Sequence, residues 1–159
     1  AYALDMLSTY LSRGNSAVLN KELVEKSQIA LRVNAYAGSG EDPGLMILTA
    51  TANQGVDIQK LKEALDLQVK KLADAPISDR DFQKTFNKIE ADFVTQNGSA
   101  LGIAEQLAQY KMYYGDANLI NTEIERYKKI TPAQLQAVAK KYLQPENRTI
   151  IYYLPKKSS

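Results

Sequence analysis

Apolar and polar positions alternate along this chain with two periods, and the change from one to the other marks out its elements. Over Ala3–Leu11, Leu4, Leu7 and Leu11 recur at helical spacing, which predicts a helix with one buried face. A small-residue break, Ser12-Arg13-Gly14-Asn15-Ser16, follows. Ala17–Lys26 then reads as a second helix with Val18, Leu19 and Leu23 on its apolar face and Asn15 or Ser16 as its cap. At Gln28 the period drops to two. Ile29, Leu31, Val33, Ala35 and Ala37 fall on one face of a predicted strand Gln28–Ala37, and Arg32, Asn34 and Tyr36 on the other.

The turn-rich stretch Gly38–Gly44 leads to a second strand, Leu45–Ala52, apolar on both faces, so the two strands are expected to form an antiparallel hairpin. Asp57 is positioned to cap a helix to about Asp74, with a stripe of Leu61, Leu65, Val69 and Leu72, and Pro76 ends it. Ser78 caps the next helix, with Asp79 and Asp81 in its first turn. Phe82, Phe86, Ile89 and Phe93 recur on one face of that helix, which is expected to lie deep in the core. Ser99 starts a helix carrying Leu101, Ala104, Ala108 and Met112, closed by Tyr113-Tyr114-Gly115-Asp116. A shorter helix with Ile120, Ile124 and Tyr127 follows. Thr131-Pro132 opens a last helix with Leu135, Val138, Ala139 and Tyr142 on its narrow apolar face. Arg148–Leu154, apolar on both faces, predicts a covered interior strand, and Pro155–Ser159 a polar tail.

The expected fold class is α+β, with a mixed or antiparallel sheet packed against several helices, because strands cluster early and late and do not alternate with helices. Residues 1–155 read as one domain and 156–159 as a tail or linker. Three strands are few for such a sheet, and a strand just before Ala1 is expected to complete it. The chain opens inside a helical pattern without Met, the expectation for a piece of a longer protein.

Composition narrows the chemistry. The 159 residues contain no histidine and no cysteine. That removes Ser-His-Asp and Cys-His catalysis, the imidazole base and thiolate metal sites. Twenty basic and 18 acidic residues, a net charge of +2, are too balanced for nucleic acid or an anionic membrane to be the expected partner. No apolar run approaches the ~20 residues of a membrane helix. Absence of cysteine fits periplasm and cytoplasm alike, so the compartment stays unassigned.

Candidate sites are few. Glu22 with Glu25, Asp79 with Asp81, and Glu123 with Glu125 could serve acid–base chemistry or hold Mg²⁺, but helix-surface charge is the favoured reading. Glu41-Asp42 lacks EF-hand spacing, and Gly38-Ser39-Gly40 lacks the Lys-Ser/Thr of a phosphate loop and precedes a strand. Tyr110, Tyr113, Tyr114 and Tyr127, with Lys111 and Lys128, could stack nucleobases, though core edges or a packing interface fit better. Arg13–Ser16 is a helix break whose glycine would let another chain approach closely.

The order of these motifs resembles a known family. Ala3–Leu11, then Gly14–Leu23 with its Leu19/Leu23 frame, then an alternating strand, is similar to domains of the pitrilysin/insulinase zinc peptidases, the group that includes the mitochondrial processing peptidases. Similar too are the helix with Phe82 and Phe86, Tyr113-Tyr114-Gly115-Asp116, Ile130–Leu135 leading to Ala139–Leu143, and the close at Leu154-Pro155. The resemblance implies halves built from paired α+β domains, with zinc held by an inverted His-x-x-Glu-His motif on the first domain of the catalytic half. Without histidine, this chain corresponds to a second domain: a wall of the peptide-holding chamber, packed on another domain of the same polypeptide or a homologous subunit. Catalytic and metal residues in the chain are then none, cofactors none, and zinc belongs to the parent protein. Some members place an Arg and a Tyr against the bound peptide; here those positions fall at Val24 and Leu31, which neither hold charge nor hydrogen-bond, so no site residue carries over. Two other readings stay open. One is a structural assembly subunit that keeps the fold without proteolysis, as some relatives in respiratory complexes do. The other is a stand-alone Mg²⁺-dependent carboxylate hydrolase.

Overall fold

A computed structural model describes residues 2–38 and 44–155. The stretch 39–43, which includes most of the Gly-rich connector and Glu41-Asp42, lies outside the described residues, as do Ala1 and the tail 156–159. Helix α1 spans Tyr2–Ser12. A π-helix spans Asn20–Lys26, and the hairpin is β1, Ala30–Gly38, and β2, Leu45–Ala52. Helices α2 (Ile58–Asp74), α3 (Asp79–Gln96) and α4 (Ala100–Tyr114) follow. A 3₁₀ turn, Ala117–Asn121, then leads to α5 (Glu123–Lys128) and α6 (Pro132–Tyr142). This is α+β, with one two-stranded antiparallel sheet among the described residues.

The sheet and most of the helices are organised around α1, which packs against β1, α3, α5 and α6. Met6, Leu7 and Leu11 are fully enclosed and form one core with Leu19, Leu23, Val33, Leu61, Phe86, Ile89, Leu135 and Ala139. Burying side chains of this size is worth about 1.5–3 kcal/mol each, which is why a short helix can hold the sheet and the helical layer together. Several helix starts agree with the sequence patterns to the residue. Asp57 accepts from the Gln59 N–H, Ser78 from Asp81 and Ser99 from Gly102, and Thr131 with Gln134 forms a capping box.

Other expectations need correction. Neither Asn15 nor Ser16 caps the second helix. Asn20 does the tying instead, its amide donating to the carbonyls of Ser12 and Gly14. That helix runs as a π-helix and ends where Gln28 takes a left-handed φ of 51°. The strand therefore begins at Ala30, and its register slips between Ala30 and Arg32. Leu31 is the extra residue of this bulge and is 63 % exposed, although alternation places it inside. Of the phenylalanine stripe, Phe86 and Ile89 are buried while Phe82 and Phe93 are only half-buried, since α3 lies at the flank of α1. Leu101 and Met112 stand exposed because α4 packs mainly on the 3₁₀ turn. The predicted short helix is divided into that turn and α5.

The largest departure is at the end. Arg148–Leu154 forms no strand and is not interior: its residues carry no regular secondary structure, stand exposed and have no strand partner among the described residues. An apolar sequence is suited to an inner strand, but a strand also needs a neighbouring edge to receive its main-chain groups.

Candidate functional site

The groups first considered for chemistry are dispersed. Glu22 pairs with Lys26 at 2.6 Å, and Glu125 with Lys128 at 2.7 Å. Asp81 accepts from the Ser78 hydroxyl at the start of α3. Tyr113 and Tyr114 are exposed and Tyr110 is buried, while Lys111 donates to the Gly115 carbonyl that closes α4. Val24 is half-buried against the core, and Leu31 sits on the bulge. Among the described residues no three acidic side chains gather, and the sequence has no histidine or cysteine, so the residues present do not fit a zinc site.

A cleft does form where α1 runs beside the outer edge of β1. Its volume is about 180 Å³, and its walls are Asp5, Ser8, Thr9, Ser12 and Arg13 on α1 and its C-terminal end, against Asn34–Ala37 of β1. The decisive contact is at Ser12. Its hydroxyl accepts from the Ala35 N–H at 2.7 Å and donates to the Ala35 carbonyl at 3.1 Å. Ala35 therefore turns both main-chain groups away from β2, and with the two-residue period of a strand Ala37 turns its own toward the cleft as well. Thr9 is 3 % exposed, and its hydroxyl finds no hydrogen-bond partner among the described residues. Such a group costs about 1–3 kcal/mol when left unpaired.

A polar network steadies the outer end of α1. Asp5 accepts from the Tyr127 hydroxyl at 2.8 Å, Glu123 accepts from Tyr2 at 3.0 Å, and Arg126 donates to the Tyr2 hydroxyl at 3.1 Å. The rings of Tyr2 and Tyr127 meet edge to face at 5.0 Å. Burial, reinforced by the Asp5 carboxylate, pushes the Tyr127 phenol up, and burial followed by Glu123 does the same for Tyr2, so both remain donors at neutral pH. Arg13, at the mouth, is held 3.4 Å from Asp92 of α3. The sequence singled out Tyr127 and the break that begins at Ser12, though not the bond Ser12 makes to β1, and it did not single out Asp5, Ser8 or Thr9. Those three are small polar residues on a helix whose signal is its apolar stripe.

Residues 1–89 match the family profile described as the peptidase M16 inactive domain. The chain belongs to that family. The resemblance to pitrilysin and insulinase read from its motifs is thereby borne out, since those are M16 peptidases. The zinc protease PqqE of Helicobacter pylori is 24 % identical over 153 residues, 96 % of this chain and 34 % of that protein. A solved Helicobacter pylori protease superposes with a TM-score of 0.82 at 24 % identity, covering 90 % of this chain and 34 % of the other. An inactive peptidase domain from Bordetella parapertussis gives 0.84 at 23 % identity, covering 99 % of this chain and 83 % of that one. The M16 domain described here thus spans about a third of the length of the curated relative it matches, 34 %, and shares the α+β fold of the solved inactive domains.

Proposed function

We propose that this M16 domain is the non-catalytic part of a longer zinc peptidase, in which it packs on the metal-bearing domain and forms one wall of the peptide-holding chamber. Residues 1–155 act as the domain and 156–159 as the link. The observation that carries this reading is the cleft beside β1: a strand edge with Ala37 turned outward, next to polar side chains of α1. An extended peptide adds to such an edge by main-chain hydrogen bonds, which give affinity with little demand on sequence. The domain itself contributes orientation, holding the peptide while a neighbouring domain supplies metal and general base. Zinc accordingly belongs to the parent protein, not to these residues.

The test is kinetic and uses the full-length parent. Ala37→Pro removes one cleft-facing N–H without removing a bond of the β1–β2 ladder. It is expected to raise KM for a peptide substrate by about tenfold, the equivalent of one net hydrogen bond, with kcat and zinc content unchanged. An unchanged KM in a folded variant overturns the chamber-wall role.

A further inference from the structure

We propose that the pocket at the α2–α3 junction takes a carboxylate carried on a small branched apolar body, with Lys71 and Gln68 as its polar contacts. This site shares no wall residue with the cleft beside β1, and its occupancy does not depend on the chamber-wall role.

The pocket follows from how α2 stops. Pro76 has no N–H to continue a helix and disfavours helical backbone at the residue before it. Ala75 accordingly leaves α2 at φ −143° and ψ 150°. Ser78 is extended as well, at φ −62° and ψ 150°, before α3 begins. A space of about 210 Å³ opens between this linker, the last turns of α2, Tyr10 of α1 and Val18 ahead of the π-helix. A cavity of about 150 Å³ holds a benzene ring, so this volume suits a leucine-sized group with its carboxylate. Leu72, Pro76 and Ile77 join Val18 as its apolar wall.

The polar wall is made of donors. Gln68 is 7 % exposed. Its carbonyl oxygen is taken, accepting from the Lys71 ammonium at 3.5 Å, and its amide nitrogen has no acceptor among the described residues. Burial, and then the charges of Asp81 and Glu22, push the Tyr10 phenol up, so it too is a donor at neutral pH. Lys71 forms no ion pair among the described residues. Glu22 and Asp81 are engaged elsewhere, with Lys26 at 2.6 Å and with the Ser78 hydroxyl, and neither lines the pocket. The charge left unmatched at the pocket is therefore positive, which favours an anion over a cation. A carboxylate has two oxygens and can accept from the ammonium and the amide together.

Calorimetric titration of the full-length parent with N-acetyl-leucine tests the assignment. Binding is expected with a dissociation constant on the order of 1 mM, as suits a ligand of about a dozen non-hydrogen atoms. Lys71 is exposed, so Lys71→Met is expected to fold, as a thermal melt would show, and to weaken binding about tenfold or more. N-acetyl-leucinamide, which lacks the charge, should bind no better than the acid binds that variant. Absence of binding by the acid overturns the proposal. So does binding that survives Lys71→Met, which would assign the ligand to another place on the parent, and so does equal binding of the amide. A longer probe separates the two sources of such a carboxylate. Lys71-dependent binding of acetyl-Ala-Ala-Leu supports the site as one for peptide C-termini, and Lys71-dependent binding of N-acetyl-leucine alone supports it as one for a small free acid. Failure of the chamber-wall reading shows separately, as an unchanged KM in the Ala37→Pro parent.

Discussion

At the scale of single residues, Ser12 has the most consequential position in the molecule. One hydroxyl at the end of α1 satisfies both main-chain groups of Ala35 and so sets which way β1 faces. Ser12→Ala is expected to cost about 1–3 kcal/mol, because it leaves two buried main-chain groups without a partner. A lower urea midpoint at unchanged slope would measure it. Asp66 offers a test in pH. The Arg148 guanidinium, and then Lys62, hold its carboxyl below the usual carboxylate range. A depressed folded pKa stabilises the protein above the unfolded value of about 4 and loses that contribution as pH falls through the folded value. Arg148→Gln should therefore flatten the acid limb of the stability curve below about pH 4 while leaving its shape near pH 7 unchanged, as followed by thermal melts across pH.

At the scale of elements, the helices were legible and the strands were only half so. A helix start is a local matter, settled by a hydroxyl or carboxylate and the three residues after it. Asp57, Ser78, Ser99 and Thr131 therefore cap as their sequences indicate. The bulge at Leu31 is not local, since an inserted residue in a strand exists only relative to its partner strand. It has a sharp consequence. Leu31→Lys should change stability by no more than about 0.5 kcal/mol, whereas Val33→Lys, two residues on and buried, should cost upwards of about 3 kcal/mol and abolish cooperative unfolding. Chemical denaturation of the two variants distinguishes the bulged register from unbroken alternation, which would make both severe. The stripe on α4 teaches the same lesson. Its spacing marks a helix face correctly, but only the neighbours of α4 decide that Leu101 and Met112 stay in solvent.

At the scale of the whole molecule, the chain is an M16 inactive domain whose most suggestive feature is a cleft and not a reactive cluster. Residues 1–159, incubated with zinc and an extended peptide, are expected to bind no stoichiometric zinc and to release no product, as measured by metal analysis after desalting and by mass spectrometry of the peptide. Stoichiometric zinc on the chain would contradict the ligand chemistry of a sequence without histidine or cysteine.

Sequence alone determined what depends on residue type and on neighbours a few positions away. It excluded imidazole and thiolate chemistry, placed the caps at Asp57, Ser78, Ser99 and Thr131 and the hairpin, and specified the order of motifs that marks the family. Tertiary structure decided what depends on groups far apart in the chain. It brought Ser12 to Ala35 across 23 residues and Tyr127 to Asp5 across 122, opened the cleft between them, and left Arg148–Leu154 without a strand to join. The physical reason is that periodicity reports which side chains prefer to leave water, while main-chain hydrogen bonding in a sheet is satisfied only by a partner that the local sequence does not contain.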